Sequence, residues 1–102
     1  MRPHVALFLL LLVSPLLAAE PNQPILSHIS RQPVDSSAIM SIGYSKRQHA
    51  LEIEFRNGAI YRYLGVTPAL YEALLNADSK ARFYDENIRR KYRSLHVRPR
   101  AG

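Results

Sequence analysis

The sequence predicts an α+β fold, a small three-stranded antiparallel meander followed by two helices packed on one face. Three observations carry this. Residues 49–55, HALEIEF, alternate strictly, with Leu51, Ile53 and Phe55 on one side and Glu52 and Glu54 on the other, which is the period of a half-buried strand. Asn57-Gly58 follows, the strongest short hairpin signal between alternating segments. After Thr67-Pro68 the apolar spacing changes from two to that of a helix, and strands followed by helices are resolved by packing the helices on one side of a sheet.

Each element has its own warrant. In residues 38–44, AIMSIGY, Ala38, Met40, Ile42 and Tyr44 alternate, and Gly43 signals a bulge or a close approach. Residues 59–64, AIYRYL, form the returning strand, and the turn decides its register. A two-residue Asn57-Gly58 turn pairs Phe55 with Ile60 and sets Tyr61 and Tyr63 beside the two glutamates. A three-residue loop ending in a left-handed Gly58 slips the pairing by one and sets Tyr61 across from Ile53 and Tyr63 across from Leu51. The second is favoured because it gathers the large apolar groups on one face. Thr67 caps the first helix and Pro68 suits its first turn. Leu70, Ala73, Leu74 and Ala77 form its stripe, and it ends near Asn76. The second helix starts at Asp78-Ser79 and carries the stripe Ala81, Tyr84, Ile88, Tyr92 and Leu95, with Asp85–Arg89 and Glu86–Arg90 as i,i+4 ion pairs.

The 102 residues suit one domain. Residues 1–19 place Arg2 and His4 before a 13-residue apolar run, Val5 to Leu17, and then Ala18-Ala19. That order is expected of a signal peptide cleaved near Ala19, and the run falls short of the roughly 20 residues that span a bilayer. The mature chain is expected in the periplasm or secreted. It holds 13 Lys and Arg against 8 Asp and Glu, a net charge of +5, which favours anionic partners such as nucleic acid, an envelope polymer or an acidic protein surface. Residues 20–34, with Pro21, Pro24 and Pro33, are expected as a linker; a short edge strand over Ile25 to Ile29 is the alternative. The domain then covers 35–95, and 96–102 form a basic disordered tail.

Few classes of chemistry fit. There is no cysteine, so neither disulfides nor thiolate metal sites are available. His28, His49 and His96 lie on separate segments without ligand spacing. Asp35, Ser36 and Ser37 have no adjacent histidine, and the serines suit turn-making. Glu52 and Glu54 lie about 7 Å apart on one strand face and are expected to be solvated, with no pocket beside them. With four glycines there is no phosphate-cradling loop. The expectation is a non-catalytic module without metal or cofactor.

Two constellations point to binding. Tyr61 and Tyr63 with Arg56 and Arg62 interleave aromatic and basic groups on a strand, the pattern that stacks single-stranded bases; the alternative is that both tyrosines pack beneath the helices. Arg82, Arg89, Arg90, Lys91 and Arg93, with Arg98 and Arg100 in the tail, form a basic cluster suited to phosphates or another polyanion; the alternative is a solvated helix face.

Over residues 36–92 the chain resembles the KTSC domain, a family named for its place at the C-terminus of some lysyl-tRNA synthetases. The resemblance runs through Ser36, Ser37, Ile39, Ile42-Gly43-Tyr44, Leu51, Ile53, Phe55, Gly58, Tyr61-Arg62-Tyr63 and Val66. It continues through Tyr71, Leu74-Leu75, Ala77, Ser79, Phe83, Ile88 and Tyr92. Ala81 and Asp85 depart from the family's usual glycine and asparagine. The resemblance implies the fold and no established activity, with RNA binding as the suggested role.

Overall fold

The computed structural model describes residues 24–98. The expected signal segment and the end of the basic tail lie outside them.

The central meander forms as its alternation requires. Strand β3 (Ile39–Ser45), β4 (Ala50–Phe55) and β5 (Ile60–Leu64) pair antiparallel in sequence order. Ser36 Oγ accepts from the backbone amides of Ala38 and Ile39, a turn that starts β3. The β4–β5 loop is the three-residue one. Gly58 has φ +95°, the Phe55 amide donates to the Ala59 carbonyl at 2.8 Å, and Tyr61 lies across from Ile53 and Tyr63 across from Leu51.

The three-stranded expectation understates the sheet. It has six strands, in the order β1-β6-β5-β4-β3-β2. Strand β1 (Ile25–Leu26) runs parallel to β6 (Ser94–Arg98) at one edge, and β2 (Gln32–Pro33) pairs with β3 at the other. The stretch expected as a linker therefore holds both edge strands. Residues 27–31 join them across the sheet, and we call this segment the strap. Spanning four strands spaced about 4.8 Å apart with five residues requires a chain near full extension. Gly43 makes the crossing possible: a Cβ there would stand 2.2 Å from the Ser30 carbonyl oxygen.

Helix α1 (Pro68–Asn76) is capped by Thr67, whose Oγ1 accepts from the Leu70 amide at 3.2 Å. Helix α2 (Lys80–Asn87) is capped by Ser79 in the same way from Arg82. It stops well short of the expected Leu95, because the chain turns after Ile88 and returns as β6, pairing Tyr61 with His96 and Ile60 with Val97. Cross-strand pairing, with Val97 fully buried, outweighs the helical spacing of Tyr92 and Leu95. The start of the expected disordered tail is thus an inner strand.

The helices cover one face of the sheet and the strap the other. Under the helices the core is Ile39, Ile42, Leu51, Ile53, Tyr63, Val66, Leu74 and Ile88. Tyr44 stacks on Tyr71 with centroids 4.6 Å apart, and its hydroxyl donates to the Val66 carbonyl. On the strap face Ala50, Ile60 and Val97 are buried with Ile29.

Candidate functional site

On the helix face, strand alternation sends Phe55, Tyr61 and Tyr63 to the same side, and α2 lays Tyr84 over them. The rings meet edge to face: Phe55 and Tyr84 at 5.2 Å, Tyr63 and Tyr84 at 5.8 Å, Phe55 and Tyr61 at 6.5 Å. Tyr61 continues to His96 of β6 at 5.4 Å. Such contacts fix ring orientation as well as burying area. Tyr63 is 4% exposed and shares a 2.7 Å hydroxyl–hydroxyl hydrogen bond with Tyr84. Burial, reinforced by that bond, pushes its hydroxyl far above the ordinary tyrosine range.

The end of α2 completes the site. As the chain turns back toward β6, Arg89, Arg90, Tyr92 and Ser94 close a cavity of about 260 Å³ whose remaining walls are Phe55, Tyr61, Tyr63 and Tyr84. No lining residue is acidic. Arg89 donates from Nη1 to Asp85 Oδ1 at 2.9 Å, the i,i+4 pair expected from the sequence, and this carboxylate holds its guanidinium charged. The result is an aromatic basin with a basic rim, open to water.

Of the residues expected to bind a ligand, the basin gathers Tyr61, Tyr63, Arg89 and Arg90. Arg56 sits in the hairpin loop, its Nε donating to the Ser36 carbonyl. Arg82 and Arg93 are exposed and do not line the cavity. Arg62 is a correction: strand alternation turns it to the strap face, where it is 8% exposed. Phe55, Tyr84, Tyr92 and Ser94 belong to the site and were not assigned to it. Tyr84 and Tyr92 were visible as stripe residues, but a shared cavity needs the chain reversal at residues 88–93.

The strap face overturns the expectation for the glutamates. Glu52 is fully buried. Its Oε1 accepts from Ser27 Oγ at 2.7 Å and Arg31 Nη1 at 2.6 Å, and its Oε2 accepts from Arg62 Nε at 3.0 Å and Nη2 at 2.7 Å. Four donors saturate the carboxylate. All of its acceptor positions are therefore taken up within the fold. Glu54 is half-buried, accepts from Ser41 Oγ at 2.8 Å, and borders a cavity of about 480 Å³ along the strap. The paired carboxylates are thus structural acceptors for the strap rather than solvated surface groups.

Among the described residues, no group of three or more His, Cys, Asp or Glu side chains is placed to hold a metal ion.

Comparison with known proteins places this geometry. The KTSC domain family model matches residues 35–92. An uncharacterized protein of Stutzerimonas stutzeri is 43% identical over 58 residues, 57% of this chain and 82% of that protein. A lysine–tRNA ligase of Nostoc punctiforme is 34% identical over 59 residues, which make up 10% of that enzyme. The crystal structure of a KTSC domain protein from Yersinia pestis superposes with a TM-score of 0.67 at 41% identity, covering 69% of this chain and 99% of that one. Of the basin, only Ser94 falls outside the matched span; the strap lies wholly ahead of it.

Proposed function

We propose, from the premise that this chain belongs to the KTSC domain family, that it works as a non-catalytic binding module whose aromatic basin takes an anionic partner. One observation carries this: rings from β4, β5 and α2 converge with Arg89 and Arg90 on a single open cavity that no acidic side chain lines. Arginine beside aromatic walls offers a charged fork and a stacking surface together. The basic mature chain supports the same sign of partner. The signal-like order of residues 1–19 supports export, which makes an envelope polymer or an acidic protein surface the first class of partner. Single-stranded nucleic acid is the second reading. It is favoured by Tyr61 and Tyr92 both lining a cavity with a basic rim and by the likeness to a tRNA ligase.

The test is a salt series on the full-length protein, following binding of a fluorescent anionic polysaccharide and of a single-stranded RNA. Basin binding is expected to weaken steeply with salt and to fall at least tenfold in an Arg89→Ala, Tyr92→Ala double variant that melts as the parent does. Binding of neither probe, or binding indifferent to that variant, would remove the basin from consideration.

A further inference from the structure

We infer that Arg90 is the anion-contacting residue of the basin and that the group it holds is a phosphate borne on a ring, as in a sugar phosphate or a nucleotide. The inference rests on the basin being the binding site.

It begins with a mismatch between residue and conformation. Arg90 has φ +62°. The conformation itself is what a helix end requires: the Arg89 amide donates to the Tyr84 carbonyl at 2.9 Å and the Lys91 amide to Ile88 at 3.0 Å, reversing the chain after α2. The residue is not what the conformation favours. Glycine takes left-handed φ without steric cost and asparagine tolerates it, whereas a long side chain is strained there. Strain kept at a cavity rim points to a function that the side chain serves.

His49 is the internal control. It also has positive φ, +53°, at the β3–β4 turn. Histidine is enriched in that region of backbone space; the residue's carbonyl accepts from the Val66 amide, and it lines none of the cavities described above. Its conformation is accounted for by structure alone. Arg90 lines the basin.

The two rim arginines also differ. Arg89 is engaged by Asp85. Among the described residues Arg90 forms no ion pair, the expected one with Glu86 included, so its charge at the cavity lining is uncommitted. A cavity of about 260 Å³ has room for roughly one ring-sized group, and Tyr61, Tyr84 and Tyr92 offer that ring its walls. A phosphate monoester carries about −1.5 to −2 charges and three acceptor oxygens, enough to engage Arg90 fully and Arg89 in part. A carboxylate would match only one fork.

The experiment is calorimetric titration of the full-length protein with AMP, ribose 5-phosphate and inorganic phosphate, repeated on Arg90→Gly and Arg90→Asn. Both substitutions suit the left-handed position, so each is expected to melt higher, by roughly 4 °C for glycine. Each is also expected to bind ring phosphates at least tenfold more weakly. In the parent, ring phosphates should bind at least tenfold better than inorganic phosphate. AMP well ahead of ribose 5-phosphate identifies a nucleotide as the ligand unit; equal binding identifies the sugar phosphate. Variants that melt higher and bind undiminished overturn the assignment of Arg90. Polyanions that bind at the basin while no ring phosphate does overturn the ligand class alone. If neither polyanion nor ring phosphate binds, the basin itself is wrong.

Discussion

Both faces of the sheet set arginines against carboxylates, with opposite results. On the strap face Arg62 and Arg31 converge on Glu52 where water is excluded, and every lone pair of the carboxylate is used. On the helix face Arg89 meets Asp85 with both side chains about half exposed. The first pair is bound up with the fold, because separating buried charges leaves each uncompensated. The second is screened, loosely held and available to exchange partners. The same residue types thus serve architecture on one side and recognition on the other, and what separates them is the cover. The strap covers Glu52 on one face, while α2 ends early enough to leave the basin open on the other.

The sharpest way to break this comparison is to remove the buried carboxylate. Glu52→Ala leaves Arg62 and Arg31 without their shared acceptor, and a loss of about 3–5 kcal/mol is expected, read as the shift in the urea midpoint at constant slope. A loss below about 1 kcal/mol would mean that the strap face is wet and the contrast between the faces false. The next effect is smaller and more local. Gly43→Ala brings a methyl against the Ser30 carbonyl, and backbone is hard to displace. A cost of about 2 kcal/mol is expected, with the strap lifting first. Trypsin cleavage after Arg31 should then accelerate more than cleavage after Arg62 in the sheet interior.

Tyr63→Phe probes the buried end of the basin. It removes the hydrogen bond to Tyr84 and should cost about 1 kcal/mol. The pH dependence gives a second readout. Burial raises the folded-state pKa of Tyr63 above its ordinary 10.0, so above pH 10 the unfolded chain releases a proton that the folded one keeps. Stability from this group is complete below pH 10 and is lost as the pH rises beyond it. Tyr63→Phe should flatten that alkaline decline, and a parent protein whose stability is level from pH 9 to 11 would contradict the buried assignment.

What was legible in the sequence follows from how local each signal is. The register of β4 and β5 was readable because Asn57-Gly58 and the alternation on either side act within ten residues. The caps at Thr67 and Ser79 were readable for the same reason. Strand β1 was weighed only as an alternative, an edge strand over Ile25 to Ile29, and β2 and β6 were not foreseen: β1 and β2 are two residues long, and β1 and β6 pair with partners far along the chain. Alternation placed Glu52 on the correct side of β4 but says nothing of what covers that side. The basin was half legible: Tyr61 and Tyr63 stood out as a motif, while Tyr84, Arg90 and Tyr92 join them only because α2 ends at Asn87 and the chain reverses.

The smallest effect on stability is also the cleanest test of the open face. Asp85→Asn removes the carboxylate from the exposed Arg89 pair. An exposed i,i+4 pair contributes little, so melting should move by no more than about 2 °C. Binding should move the other way from the Glu52 case. With Asp85 neutral, Arg89 is free to join Arg90 at the rim, and the local field becomes more positive. Affinity for an anionic probe should rise severalfold, and the slope of log affinity against log salt should steepen by up to about one unit if Arg89 takes up a further phosphate. Removing a carboxylate thus damages the fold on one face and strengthens binding on the other. If Asp85→Asn instead weakens binding, Asp85 is positioning Arg89 for the ligand rather than competing with it, and the rim is as preorganised as the strap.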